Sequence, residues 1–98
     1  MAASRRVAIT GLGLVTPVGN DVRSTWAALL AGRSGGAPVS LFDASGFPVR
    51  IAAEVKGFDA AAVLDDRKLL KFANRSHRFA LAAAEQAFAD AGILPTAA

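Results

Sequence analysis

The chain has 98 residues, 53% of them hydrophobic, with 11 Lys and Arg against 8 Asp and Glu and a single histidine, His77. It contains no cysteine, which excludes disulfides, thiolate metal sites and a cysteine nucleophile, and one imidazole cannot build a histidine metal cluster. So short a chain makes at most one domain and hides a smaller fraction of its surface than a long one, so this much apolar material points to a fragment or an obligate partner, although alanine carries part of the excess.

The opening MAASRRVAIT is too short and too soon structured for a secretory leader. From Val7 through Ile9, Leu12, Leu14 and Val15 a nearly unbroken apolar run predicts a strand covered on both faces, as in a parallel sheet. The longest uncharged stretch, Val7 to Asn20, is interrupted by glycines and a proline and falls short of the roughly 20 apolar residues a membrane span needs. A cytoplasmic location is expected. Thr16-Pro17-Val18-Gly19 breaks the run, and Asn20 or Asp21 can cap the helix that follows. In that helix Val22, Trp26, Leu29 and Leu30 share one apolar face, and Gly32 is placed to end it in a left-handed cap.

Arg33 to Pro48 reads as an ordered loop anchored by Leu41, Phe42 and Phe47. An alternation follows: Val49, Ile51, Ala53 and Val55 on one side, Arg50, Ala52, Glu54 and Lys56 on the other. Period two predicts a strand with one solvated face, stopped by Gly57. Asp59 can cap a short turn of helix through Val63, and Asp65 or Asp66 a second carrying Arg67 to Phe72. Asn74 caps the longest helix, Arg75 to Ala91, with Gly92 at its end and Pro95 beyond. On a helical wheel Ala80, Ala83, Ala84, Ala87 and Ala91 line one side with His77, Leu81 and Phe88, opposite Arg75, Arg78, Glu85, Gln86 and Asp90. Small residues on a buried face let a helix approach its neighbour closely. Strand, loop, helix in this order belongs to an α/β protein.

The opening glycines look like a dinucleotide fingerprint, but the third glycine of G-x-G-x-x-G is replaced by Thr16. Pro17 follows at once and pushes Thr16 out of helical geometry, so the helix starts too late to close on a pyrophosphate. No acidic residue lies where a ribose partner belongs, and no Lys-Ser/Thr pair supports a P-loop. Gly11 and Gly13 are better read as letting the strand end approach another backbone. Ser24, Ser34 and Ser45 suit caps and turns, since no base accompanies them. His77 joins the apolar side of its helix and is expected to be packed and hydrogen-bonded. The charge is concentrated: Arg67, Lys68, Lys71, Arg75 and Arg78 fall within twelve residues, and the pI is about 10.2. Such a cluster favours an acidic partner. Only Phe72 interleaves it, so stacking on nucleic acid is not indicated.

The stretch RRVAITGLGLVTPVGNDVRSTWAALLAGRSG resembles the start of the β-ketoacyl-(acyl carrier protein) synthases. The residues that carry the likeness are Thr10, Gly11, Gly13, Thr16, Pro17, Gly19 and Asn20, then Trp26, Leu29 or Leu30, Gly32, Ser34 and Gly35. It continues through Phe42, Asp43, Ser45 and Phe47 and reaches the helix pair DRKLLKF and RFALAAAEQAFADAGI, so it covers nearly the whole chain. The fatty-acid type, or the aromatic-polyketide type close to it, fits better than the modular polyketide type.

The resemblance implies that residues 1–98 are the N-terminal part of a thiolase-like fold, a layered α-β-α-β-α body, with no complete domain of their own. It implies a homodimer, an acyl carrier protein as partner, no cofactor and no metal. The family condenses an acyl thioester on a cysteine with malonyl-carrier protein by decarboxylative Claisen chemistry, helped by two histidines. Those groups come later in the family than this chain reaches, so no catalytic residue is expected here, and the chain alone is expected to be inactive. Arg67, Lys68 and Lys71 match the family's carrier-protein docking patch in position, with Phe72 where a neighbouring basic residue would stand. An unremarkable solvated helix face is the alternative for these charges. The competing function is a non-catalytic truncated module that binds a carrier protein or a partner synthase.

Overall fold

The structure is a computed structural model and describes residues 4–64 and 66–93. The readings that fall on Asp65, Pro95 and the first three residues lie outside them. Six elements follow in order: helix α1 (Val22–Leu30), strands β1 (Ala37–Pro38) and β2 (Ile51–Ala52), then helices α2 (Ala60–Val63), α3 (Arg67–Phe72) and α4 (Arg75–Ala91).

Each helix begins at a side chain able to accept from an otherwise orphaned amide. Asp21 takes the Ser24 N–H at 2.8 Å, Asp59 that of Ala61 at 3.0 Å, and Asn74 that of His77 at 2.9 Å. Asp66 takes two, from Lys68 and Leu69. At the other end of α1, Gly32 adopts φ 69°, and the Gly32 and Arg33 amides return to Leu29 and Ala28. Gly92 repeats this at the end of α4 with φ 70°, its amide and that of Ile93 returning to Ala89 and Phe88. These paired returns satisfy the last carbonyls of a helix and need the left-handed residue glycine adopts without strain.

The opening apolar run departs from the expectation. It forms no strand, since among the described residues none pairs with it, and Val7 and Ile9 stand 86% and 82% exposed. Extended backbone becomes a strand only when a neighbour supplies a hydrogen-bond ladder, and the chain's other extended pieces pair with one another. The run leans instead on α4. A β-carbon on Gly11 would collide with the Ala87 carbonyl oxygen, and one on Gly13 with that of Ala83, so the close approach read from the glycines is present. The Leu12 N–H donates to Asp90 Oδ2 and the Leu14 N–H to Gln86 Oε1, each at 3.0 Å. Gln86 Nε2 donates in turn to the Asn20 carbonyl at 2.8 Å. The run then folds back at Thr16, whose N–H reaches the Gly19 carbonyl.

The alternating strand is shorter than expected, and its sides are reversed. Ile51 and Ala52 pair antiparallel with Pro38 and Ala37, and the Val39 amide extends the ladder to the Arg50 carbonyl. The apolar positions Val49 and Ile51 are the exposed ones, at 70% and 69%. Ala52 and Glu54 are half-buried because they face this chain's own loop. Glu54 accepts from the Ser40 hydroxyl and amide and from the Leu41 amide. Lys56 Nζ spends its protons on three carbonyls, those of Pro17, Gly35 and Glu54. Leu41, Phe42 and Phe47 do not anchor the loop in a core: all three are more than half exposed, and the two rings meet edge to face at 5.9 Å.

The Ser40 hydroxyl, then the Ser40 amide, hold the Glu54 carboxyl below its ordinary range. A depressed carboxyl contributes stability above its unfolded pKa and loses it as pH falls through the folded one. Acidification below about pH 4 should therefore release the loop first at Ser40 and Leu41. Amide exchange at those two residues, read against pH, checks this, and Glu54→Ala should reproduce the acid behaviour at neutral pH.

Among the described residues only small or medium ones are buried: Ala28, Ala44, Ala60, Leu64 and Ala82, with Thr25. The expected apolar face of α1 lies open, with Trp26 at 61% and Leu30 at 71% exposure. The α4 wheel is also rotated from its prediction. Ala82, not a member of the predicted stripe, is fully buried, while Ala80 and Ala84 are exposed and Gln86 and Asp90 face the opening run.

Candidate functional site

The basic cluster divides into two sets with different work. Arg75 Nη2 donates to the Val55 carbonyl at 2.9 Å, and its guanidinium lies 4.8 Å from the Phe79 ring centroid. Phe79 meets Phe58 edge to face at 5.1 Å. Arg78 donates from Nε to the Ala73 carbonyl and from Nη2 to that of Leu70. Ala73 ends α3, so Arg78 ties the last turn of α3 to the first of α4 and neutralises carbonyls that helix geometry leaves unpaired. These two arginines tie the start of α4 to Val55 and to the end of α3.

Arg67, Lys68 and Lys71 stand on α3 and are exposed. Among the described residues none makes a side-chain hydrogen bond or an ion pair. Arg67 and Lys71 are four residues apart, as are Lys68 and Phe72, so two parallel ridges run along the helix. Phe72 is 83% exposed, the highest value of any aromatic ring here. A cleft of about 350 Å³ opens beside it, lined by Leu69, Phe72, Ala73, His77, Ala80 and Leu81. His77 is exposed, and no described residue bonds its ring, contrary to the packed histidine expected. The reason is that α4 turns its Ala82 side inward, leaving His77 at the mouth of the cleft.

The three cations are legible in the sequence and the cleft is not, because in one dimension Phe72 shows only as a position without charge. The available signal was a large apolar residue on a short helix that already carries three charges.

Elsewhere the polar groups serve the fold. The Ser24 hydroxyl and amide hold Asp21 below the ordinary carboxylate range, and the Ser45 amide and hydroxyl do the same for Asp43. Both are caps or turns. In the opening loop, the amides of Leu12 and Leu14 that could face a phosphate already donate to Asp90 and Gln86. Ser34 accepts from the Gly36 amide, a turn contact. The described residues hold no group of three His, Cys, Asp or Glu side chains placed to bind a metal, and no described helix is long and apolar enough to cross a membrane.

Comparison with known proteins shows the family. A profile described as "Beta-ketoacyl synthase, N-terminal domain" matches residues 4–98. A 3-oxoacyl-(acyl-carrier-protein) synthase 2 of Coxiella burnetii is 53% identical over 89 residues, 91% of this chain and 21% of that protein. The tetracenomycin polyketide synthase ketoacyl synthase beta subunit of Streptomyces glaucescens is 50% identical over 95 residues, 97% of this chain and 23% of that protein. Among solved structures, the ishigamide ketosynthase/chain length factor superposes with a TM-score of 0.84 at 38% identity, over 94% of this chain and 23% of that one. The chain thus spans about a fifth of the length of the curated relatives it matches.

Proposed function

The chain belongs to the β-ketoacyl synthase family, and from that premise we propose that residues 1–98 are the N-terminal segment of a 3-oxoacyl-(acyl carrier protein) synthase. The complete enzyme joins an acyl thioester to malonyl-carrier protein with loss of carbon dioxide, in fatty-acid or related polyketide synthesis. The thiolate and the imidazoles for that step are supplied outside these residues, since the chain has no cysteine and its lone histidine sits at a surface cleft. The segment's task is architectural and recognitive. It contributes an extended run and helices to a cytoplasmic, dimeric body, and it presents α3 to the carrier protein.

The observation that carries this reading is the unbroken family match from residue 4 to residue 98. It is tested by reading the coding frame beyond Ala98 and assaying its product. An open frame leading to a cysteine and two histidines, whose product releases carbon dioxide from malonyl-carrier protein, is expected. A stop codon, or a product that binds carrier protein without turnover, leaves the non-catalytic module.

Arg67, Lys68 and Lys71 are proposed as the carrier-protein contact. Single exposed ion pairs give only about 0.2–1 kcal/mol, so these charges steer more than they hold. Reversing two of them, Lys68→Glu with Lys71→Glu, should weaken carrier-protein binding to the synthase about tenfold and flatten its salt dependence. Titration at two salt concentrations reads both. Unchanged affinity and slope would remove the docking role.

A further inference from the structure

We propose that the cleft beside Phe72 receives an apolar side chain of the docked acidic partner, so that docking at α3 combines charge steering with insertion of a hydrophobic anchor. The proposal rests on the carrier-protein reading and adds a component which that reading lacks.

Three observations point there. Phe72 is 83% exposed and shares a helix ridge with Lys68, so any partner drawn to Lys68 lies against the ring. The cleft it borders is about 350 Å³, room for an aliphatic side chain, and its walls are Leu69, Leu81 and the methyls of Ala73 and Ala80. A second apolar cleft opens on the far side of Leu69 and Leu81, between Leu64 and Phe88. The two differ in charge. The far cleft carries Asp66 and Glu85 in its lining, which repel an acidic partner. The near one has no acidic residue in its lining and adjoins the Arg67, Lys68 and Lys71 ridges. Charge complementarity therefore selects the near cleft for an acidic protein and leaves the far one to other surfaces.

Exposed charges on flexible stems set the rate of encounter, whereas a desolvated apolar anchor sets how long the pair stays together. The three cations alone give a fast, short-lived contact. Phe72 in place of a fourth cation exchanges some steering for residence.

The test uses the complete synthase and its carrier protein. Phe72→Ala should raise Kd about five- to tenfold, through faster dissociation, with the salt slope unchanged. Phe72→Leu should recover most of that loss. Lys68→Glu with Lys71→Glu should change the slope instead, so the two components separate. If the charge reversal does nothing while Phe72→Ala weakens binding, the charge reading fails and the insertion stands. If Phe72→Ala leaves Kd within twofold of the parent, the proposal is overturned. It is likewise overturned if that variant lowers only the melting midpoint, because the cleft is then covered by the synthase's own body. Fluorinated phenylalanine, with the Phe72 resonance assigned by its absence in Phe72→Leu, gives a readout independent of stability. That resonance should shift when carrier protein is added, and an unmoved signal at saturation contradicts the insertion.

Discussion

Gly13→Val should detach the opening run from α4 and destabilise the synthase that carries it by about 3 kcal/mol or more. A β-carbon at Gly13 would meet not a movable side chain but helix backbone: the Ala83 carbonyl group and, at 2.8 Å, the Ala87 nitrogen. Helix backbone cannot retreat without losing its own hydrogen bonds, so the run must move. When it moves, the Leu12 and Leu14 amides lose Asp90 and Gln86, and Gln86 loses its hold on Asn20. Gly11→Val should act similarly through Ala87 and Ala91. Gly46 is the control: nothing lies within 4 Å of its missing β-carbon, so Gly46→Ala should stay within about 0.5 kcal/mol of the parent. Urea unfolding of the three variants beside the parent measures the difference. Equal midpoints for Gly13→Val and Gly46→Ala would mean that the glycine contact has no energetic consequence.

The second large effect concerns the 98 residues by themselves. They should not unfold cooperatively and should bind apolar dyes. The chain exposes 8028 Å², whereas a compact protein of its 10.0 kDa exposes about 5,200 Å². Its radius of gyration is 17.2 Å against about 12.6 Å for a compact chain of this length. The excess area, about 2,800 Å² on this side alone, corresponds to about 5,600 Å² counted over both surfaces, the large end of obligate interfaces, so the surfaces left open are of a size that obligate association covers. They are also the right kind: Val7, Ile9, Trp26, Leu30, Val49 and Ile51 are apolar and mostly exposed. Circular dichroism with thermal unfolding and an amide proton spectrum of the purified chain provide the check. A dispersed spectrum from a monomer with a sharp transition would contradict the expectation.

Local structure was legible in the sequence, and tertiary placement was legible only where both partners lie in the chain. Asp21, Asp59 and Asn74 cap where short polar side chains precede helical stretches, and Gly32 and Gly92 close helices in the left-handed region, because capping depends on a few neighbouring residues. Gly11 and Gly13 are legible as close-approach positions, and both contacts fall within this chain, on α4. The open faces share a cause, the one expected of a fragment. Val7–Ile9, the Trp26 face and the Val49–Ile51 side each carry a pattern that presupposes a covering surface, and the described residues do not provide one. Periodicity reports which side of an element is meant for burial, but not what buries it. The inversion at β2 follows directly: Glu54 and Ala52 turn toward the Ser40 loop, leaving the apolar side open. At α3, charge was visible in one dimension, whereas the Phe72 cleft exists only once α4 brings Ala80 and Leu81 alongside it.

In the complete synthase the opening run is expected to become an interior strand of a larger body. Hydrogen exchange of the backbone amides from Arg6 to Thr10, measured in the complete synthase and in the isolated chain, tests this most directly. Protection in the synthase at least about a hundredfold greater than in the isolated chain is predicted, since interior strands exchange only through large-scale opening. Equally fast exchange in both would contradict it.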